Sequence, residues 1–171
     1  MHTGSGDAST RKASFAPVVG PDTRVLILGS LPGERSLAAQ QYYAHPQNRF
    51  WHLIGEVIGT SLVPLAYPAR LEALLAAKVG LWDTLASARR EGSLDAAIRE
   101  PEHNALAELA GSLRELRAVG MNGGTATRIG TRLLAGSGLA LVPLPSSSPA
   151  YAAMPLAEKA RRWCGLRTFL S

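Results

Sequence analysis

The sequence predicts an α/β fold, a three-layer α/β/α sandwich built on a four-stranded parallel sheet. Two observations carry this prediction. Four short apolar segments alternate with segments of helical periodicity along the chain. The first of them, Arg24–Gly29, reads RVLILG. Its four central residues are all apolar, as in a strand buried on both faces of a parallel sheet. The length of 171 residues, 46% of them apolar, suits a single domain of this class.

Three of the predicted strands end in loops of unusual composition. The strands are Arg24–Gly29, Val79–Asp83, Arg117–Asn122 and Leu139–Pro143. The first, third and fourth are followed by loops that read GSLPG, MNGG and PLPSSSPAY. Because ligands of parallel sheets bind outside the carboxyl ends of the strands, we expect these loops to converge on one site.

Helical segments fill the intervals between the strands. Apolar spacing, proline at the first helical position and Asn as an N-cap are the signals used. The predicted helices run from Phe50 to Ile58, from Pro68, from Asn104 to about Leu116, from about Thr125 to Leu134 and from Pro155. A further helix of lower quality is predicted directly after Asp83.

Residues 1–21 are predicted to form a disordered leader, because Gly, Ser, Thr, Ala and Pro dominate there, and residues 22–171 to form the functional domain. The start of the chain has no apolar signal region, and no segment approaches the ~20 apolar residues of a membrane span. We therefore expect a cytoplasmic protein without membrane contact. We also expect it to be a monomer.

The net charge of +5 is concentrated toward the end of the chain. Seven of the 18 basic residues and one of the 13 acidic residues lie in Arg117–Ser171. A basic end on an otherwise balanced domain favours binding to a phosphate backbone. The alternative is a set of arginines on solvated helix faces.

Several classes of enzyme are excluded or disfavoured. The single cysteine, Cys164, excludes an internal disulfide, a cysteine-built zinc site and a cysteine-ligated iron–sulfur cluster. The motifs of serine hydrolases, P-loop proteins and dinucleotide-binding proteins are absent, and no two histidines have zinc-ligand spacing. We therefore expect neither a metal nor a cofactor.

The remaining chemistry depends on neutral groups. Asp83 is expected to cap the helix after its strand rather than to act as a base. Asn48, Asn122, Ser30 and Ser146 are then the candidate polar groups, together with backbone amides. Such groups position water and read the edge of a ligand.

Four of the ten aromatic residues flank the segment Ala44–Arg49, which reads AHPQNR. Phe50 and Trp51 also fit the core face of the helix that follows. The pair Tyr42–Tyr43, in a loop, is harder to explain as core. Flat side chains beside a cleft are suited to stacking on a planar base.

Six segments together resemble the uracil-DNA glycosylase superfamily, and most closely its hypoxanthine-DNA glycosylase branch, family 6. They occur in the order of that family. The segments are Gly29–Gly33 (GSLPG), Gln41–Trp51 (QYYAHPQNRFW), Gly80–Asp83 (GLWD), Arg90–Asp95 (REGSLD), Met121–Gly124 (MNGG) and Leu144–Ala150 (LPSSSPA).

The resemblance implies a monofunctional enzyme of base-excision repair, which flips a deaminated base out of damaged DNA and hydrolyses its N-glycosidic bond. In the mismatch-specific uracil branch the first motif carries a water-activating Asn, and here Leu31 takes its place. The second motif usually offers a His, and here the residue is Leu144. Both departures match the hypoxanthine branch, where the Asn that corresponds to Asn48 is expected to supply catalysis.

Site residues are assigned on this basis. Asn48 is expected to hold the attacking water, and Asn122 to read the adjacent N–H and C=O groups of hypoxanthine or uracil, unless it is only a turn residue. The residues expected to bind the base are Gly29, Ser30, Leu31, Phe50 and Asn122. Of these, Phe50 is expected to stack on it. The residues expected to contact DNA are Tyr43, His45, Ser146, Ser147, Ser148, Pro149 and Tyr151, the last as a wedge in the base stack or as a packing residue on the final helix.

The sequence thus predicts a DNA glycosylase that removes hypoxanthine, with uracil or xanthine as further substrates. Three alternatives stay open: a mismatch-type uracil-DNA glycosylase, a non-catalytic protein that binds DNA lesions, and a hydrolase or binding protein for small nucleotides.

Overall fold

A computed structural model describes residues 11–149 and 153–171 and contains the predicted sandwich. In chain order the elements are β1 (Arg11–Ala13), β2 (Val25–Gly29), α1 (Glu34–Ala39), α2 (Phe50–Ile58), α3 (Tyr67–Ala76), β3 (Val79–Asp83), β4 (Leu85–Arg89), β5 (Arg99–His103), α4 (Leu106–Ser112), β6 (Ala118–Asn122), α5 (Gly124–Leu133), β7 (Ala140–Leu144) and α6 (Leu156–Trp163). Short 3-10 turns lie at Asp95–Ala97 and Cys164–Phe169.

The central sheet is parallel, and its strand order is β3–β2–β6–β7. Its register aligns Gly29 with Asp83 and Asn122 with Leu144. The last residues of neighbouring strands therefore lie side by side at the carboxyl edge, which is where the sequence predicts a site.

The two faces of the sheet are covered by different helices. Val25 and Ile27 of β2 pack in a core cluster with residues of α2, α3 and α6, among them Trp163. Leu26 and Leu28 point to the opposite face and pack with residues of α4 and α5. Side chains alternate between the faces of a strand, so a continuous apolar run such as β2 is buried on both sides. The predicted fold class is confirmed.

A second sheet was not predicted from the sequence. It is antiparallel, has the order β1–β4–β5 and contains three strands. The prediction of a helix directly after Asp83 is therefore wrong, because Leu85–Arg89 forms strand β4. Asn104 does not cap a helix through its side chain: its Nδ2 donates to the backbone carbonyls of Asp83 (2.8 Å) and Leu85 (3.2 Å).

The predicted leader is also corrected for residues 11–21. Arg11–Ala13 pairs with β4, and Val18 forms a β-bridge with Leu81. These contacts join segments about seventy residues apart, so no local sequence pattern announces them. Residues 1–10 lie outside the part of the chain that the structure describes. Within that part, no helix combines the length and apolar composition that a bilayer crossing demands.

Candidate active site

A cavity of about 1030 Å³ opens at the carboxyl edge of the parallel sheet. The three loops that follow β2, β6 and β7 line it, as predicted, together with the loop before α2 and the end of β3. Most predicted site residues border it. They are Gly29, Ser30, Leu31, Tyr43, His45, Asn48, Asn122, Ser146, Ser147, Ser148 and Pro149. Tyr151, the predicted wedge, lies outside the described residues.

Asn48 borders the cavity from a tight turn that precedes α2. Its backbone N–H donates to the carbonyl of His45 (3.0 Å), and its Oδ1 accepts a hydrogen bond from the backbone N–H of Phe50 (2.9 Å). The second bond fixes the carboxamide at the start of the helix. Oδ1 keeps a second lone pair, and Nδ2 has no partner among the described residues, so the amide can still bind a water or a ligand.

Tyr42 and Tyr43 line the cavity, whereas Phe50 does not. The Phe50 side chain is fully buried in the core, where it also contacts Trp163 edge-on. Tyr43 stacks on Phe50 with ring centroids 3.9 Å apart and an interplanar angle of 16°. The structure therefore does not bring Phe50 to the cavity, because the ring of Tyr43 lies in front of it. Tyr43 has a φ of 55°, a left-handed conformation that is uncommon for a non-glycine residue.

Asn122 is engaged by the serine loop. Its Oδ1 accepts a hydrogen bond from the backbone N–H of Ser147 (2.9 Å), and its Nδ2 donates to the Ser147 hydroxyl (2.9 Å) and more weakly to the Tyr43 hydroxyl (3.5 Å). Ser147 is 1% exposed, so it is a structural partner of Asn122 rather than a surface contact for DNA. Both donor positions of the Asn122 amide are used, and only a lone pair on Oδ1 is left for a base.

Two charged residues, Arg90 and Asp95, form hydrogen bonds with the loop between β2 and α1. The Ser30 hydroxyl donates to Asp95 Oδ1 (2.7 Å), and the guanidinium of Arg90 donates to the carbonyl of Pro32. Arg90 has no exposed side-chain surface and lies 3.8 Å from Asp95. Leu31 packs with its side chain among apolar residues, so the loop offers the cavity backbone groups.

Backbone amides of this loop are unpaired. The N–H groups of Leu31 and Gly33 donate no hydrogen bond to any residue in the described ranges, whereas that of Glu34 donates to the Ser93 hydroxyl (2.9 Å). Leu31 is 7% exposed. Unpaired donors at the edge of a cavity are suited to binding an acceptor on a ligand.

Asp83 is a buried acid in the cavity wall, and sequence reasoning missed it. No helix follows it, so the predicted capping role is wrong. Burial, and to a smaller degree the charge of Asp95, raise the pKa of the Asp83 carboxyl to about 7, and the nearby Arg90 opposes this shift. The signal that could have found Asp83 is its place at the end of a strand next to the one that carries the GSLPG loop.

Several arginines lie in the cavity wall or next to a residue that lines it. Arg35 and Arg128 line it, and Arg49 is exposed beside Asn48. The guanidinium groups of these three residues form no hydrogen bond or ion pair with any other described residue. Several basic residues of the C-terminal third have other roles. Arg117 donates to the carbonyl of Ser171 (2.6 Å), and Arg167 to that of Glu56 (2.6 Å). Only part of the predicted basic cluster therefore faces the cavity.

Comparison with known proteins agrees with this geometry. The family model of the Uracil DNA glycosylase superfamily matches residues 16–167. A Hypoxanthine DNA glycosylase of Methanosarcina barkeri is 44% identical over 113 residues, which are 66% of this chain and 72% of the relative. One of Methanosarcina acetivorans is 41% identical over 139 residues, 81% of this chain and 87% of the relative. The solution NMR structure of a candidate uracil DNA glycosylase from the same species has a TM-score of 0.84 at 36% identity, over 94% of this chain and 99% of that one.

The chain belongs to the uracil DNA glycosylase superfamily. Its similarity to the relatives named Hypoxanthine DNA glycosylase confirms the resemblance to that branch, which the sequence motifs predicted.

Proposed function

We propose that this protein is a monofunctional DNA glycosylase that releases hypoxanthine from DNA by hydrolysis of the N-glycosidic bond. One observation carries the proposal furthest: a positioned carboxamide, Asn48, borders the same cavity as the unpaired amides of the loop after β2. The names of the similar Methanosarcina proteins support the substrate.

In the proposed mechanism Asn48 holds the attacking water. Cleavage of the glycosidic bond passes through a state in which the sugar carries positive charge and the base negative charge. A sugar cation reacts with a weakly activated nucleophile, so no strong base is required. The Phe50 amide orients Asn48 Oδ1, and the remaining lone pair of that oxygen accepts a hydrogen bond from the water.

Other groups bind and stabilise the base. The N–H groups of Leu31 and Gly33 donate to the negative charge that develops on it, and such preorganised donors are worth about 3 kcal/mol each. Tyr43, supported by Phe50, supplies the stacking surface that was predicted for Phe50 itself. The free lone pair of Asn122 Oδ1 accepts from the ring N–H of hypoxanthine and repels the ring nitrogen of adenine, a difference of ~1–3 kcal/mol.

The unpaired arginines supply the contact with DNA. Arg35 and Arg128 line the cavity, and Arg49 is exposed next to Asn48, so these side chains are available to the phosphates on either side of an extruded nucleotide. Their binding would release counterions, so affinity should fall steeply with salt concentration. A monomeric state and a cytoplasmic location stay predictions from the sequence.

A panel of duplexes tests the function. Duplexes that carry one inosine, uracil or xanthine, and an undamaged control, are incubated with excess protein and scored for alkali-labile breaks. We expect the fastest breakage at inosine. Because no metal is expected to take part, a chelator should not reduce it. Faster breakage at uracil would favour a mismatch-type uracil enzyme, and binding to inosine duplexes without an abasic product would favour a lesion-binding protein. Faster turnover of free deoxyinosine than of the duplex would favour a nucleoside hydrolase.

A further inference from the structure

Asp83 lies in the cavity wall, and the proposed mechanism gives it no role. It ends β3, and its register partner at the end of β2 is Gly29, a residue of the cavity floor. The residue is 4% exposed. A carboxyl group that is both buried and adjacent to a ligand cavity calls for an explanation in terms of the ligand.

The carboxyl group lacks partners. Its Oδ2 is enclosed and accepts no hydrogen bond, and none of the described residues donates to Oδ1 either. The Asn104 amide, which is close by, donates to the backbone carbonyl of Asp83 instead. Leaving a buried polar atom unpaired costs about 1–3 kcal/mol, so such atoms are rare unless function retains them.

Asp83 Oδ1 lies next to the backbone of Gly29. An ideal Cβ at Gly29 would lie 2.7 Å from Asp83 Oδ1 and 2.7 Å from the Tyr43 hydroxyl. A side chain at position 29 would therefore clash with both groups. Glycine keeps the floor of the cavity bare, with the carboxyl group on one side and the phenol on the other, so an atom of the base that rests there is within reach of both.

Burial, and to a smaller degree the charge of Asp95, raise the pKa of Asp83 and favour its protonated form, while the charge of Arg90 opposes this. The groups that face it are Tyr42 and Tyr43 from the loop before α2, Arg90 from beyond β4 and Asp95 from the following turn. The pKa of about 7 leaves much of the carboxyl group neutral near pH 7. Burial also raises the pKa of the Tyr43 phenol, which stays neutral. A carboxylate here would repel the negative charge on a departing base, whereas a neutral acid can donate to it.

We propose that Asp83 is the general acid of the reaction and protonates the leaving purine from Oδ1. This step rests on the proposed function. The bond between the anomeric carbon and N9 breaks, and its electron pair moves onto the purine. The Asp83 proton moves to N7 of the base, which leaves as neutral hypoxanthine. Water adds to the anomeric carbon and loses one proton, and the Asp83 carboxylate takes up a proton from solvent. The sum is addition of one water.

The test is the ratio of wild-type to Asp83→Asn excision rates as a function of pH. Single-turnover release of hypoxanthine from a deoxyinosine duplex is measured between pH 5.5 and 9. Asn keeps the size and a donor but cannot transfer a proton, so we expect the wild type to be about a hundredfold faster at pH 6. Above pH ~7 the ratio should shrink about tenfold per pH unit, as Asp83 ionises. Titration of the substrate affects both proteins equally and therefore cancels in the ratio.

Two further measurements sharpen the result. Asp95→Asn removes a like charge near Asp83, so the falling limb of the wild-type profile should move to lower pH. In a duplex with 7-deazadeoxyinosine, which has no N7 to protonate, Asp83→Asn should slow excision less than fivefold. Circular dichroism checks that each variant is folded.

A ratio that is constant with pH would assign Asp83 a structural role and overturn the proposal. A ratio that grows with pH would make Asp83 a base and overturn it as well, as would an equal loss on the deaza substrate. A wild type that releases no hypoxanthine would instead overturn the proposed function.

Discussion

The two sides of the cavity differ in how their polar groups are satisfied. On the side of β6 and β7, the Asn122 amide and Ser147 are joined by two hydrogen bonds, and Arg49 donates from its backbone to the carbonyl of Ser147 (3.0 Å). On the side of β3 and β4, buried atoms of Asp83, Thr84 and Arg90 have no hydrogen-bond partner.

This difference separates groups that build the wall from groups that are available for chemistry. A polar group that is saturated by the protein holds a loop in place and has little left for a ligand. A buried group that is unsaturated is costly in the free protein and is retained where a ligand or a reaction uses it. Asn48, with one side of its amide bound and the other open, lies between these two cases.

The largest expected effect is on catalysis at Asn48. Asn48→Ala should slow single-turnover excision of hypoxanthine by about 10²–10³, because the water loses its positioning group. Affinity for the inosine duplex, measured by fluorescence anisotropy, should change less than about threefold. Gln47→Ala, at the exposed neighbouring position, is the matched control and should excise at close to the wild-type rate. Equal rates for the two variants would remove Asn48 from the mechanism.

Arg90→Met should have the largest effect on stability. The change removes the donors to the carbonyls of Pro32 and Gly92 and the cation beside Asp95. We expect the free energy of unfolding, from urea denaturation, to fall by about 3 kcal/mol. Arg89→Met is the control, because the Arg89 side chain is partly exposed in its pairing with Glu100, and a loss below about 1 kcal/mol is expected. Similar losses for both variants would contradict a special role of the buried guanidinium.

Asp83→Asn should stabilise the protein in a pH-dependent manner. The Asp83 pKa of about 7 in the folded protein is higher than the ordinary value of 3.8, so the native state holds its proton more tightly than the unfolded state. The raised pKa therefore contributes stability to the native wild type that is fully present below pH ~4. This contribution is lost as the pH rises through about 7. The free energy of unfolding of the variant minus that of the wild type should therefore rise by roughly 2 kcal/mol from pH 5 to pH 8, measured by urea denaturation at both pH values. A gain that does not depend on pH would indicate that the folded-state pKa is not raised.

The smallest effect is the coupling between Asn122 and Ser147. In a double-mutant cycle of Asn122→Ala and Ser147→Ala, the unfolding free energies should be non-additive by about 1 kcal/mol, because either single change removes the bond from Asn122 Nδ2 to the Ser147 hydroxyl. Ser112→Ala provides a control pair with Asn122→Ala, since the Ser112 hydroxyl bonds only to its own helix, at Leu109. Additivity in both pairs would mean that the bond between Asn122 Nδ2 and the Ser147 hydroxyl contributes little to stability.

Much of the sandwich could be predicted because its signals are local. The apolar run of β2 and the loops after β2, β6 and β7 identify the strands and the edge where the site lies. The antiparallel sheet could not be predicted in this way. Strand β4 (LASAR) has no β-branched residue, and its partner Arg11–Ala13 is polar, short and distant along the chain.

The candidate site was predicted in its location and only partly in its roles. Asn48 borders the cavity as expected. Phe50 does not, because the start of α2 directs it toward Trp163, more than a hundred residues later in the chain. The role of Asn122 depends on Ser147, which only the folded loop brings within 2.9 Å. The acid character of Asp83 depends on burial and on charges from separate elements, neither of which a strand-end motif reveals.

A crystal structure with a duplex that contains a non-hydrolysable 2′-fluoro-deoxyinosine tests the central claim most directly. We predict that the extruded base rests over Gly29, with Asp83 Oδ1 within hydrogen-bond distance of the purine, Asn48 Oδ1 one water from the anomeric carbon and the Asn122–Ser147 bonds intact. A complex in which Asn122 has left Ser147 to take both polar groups of the base, with Asp83 out of reach of it, would contradict the division of roles between the two sides of the cavity.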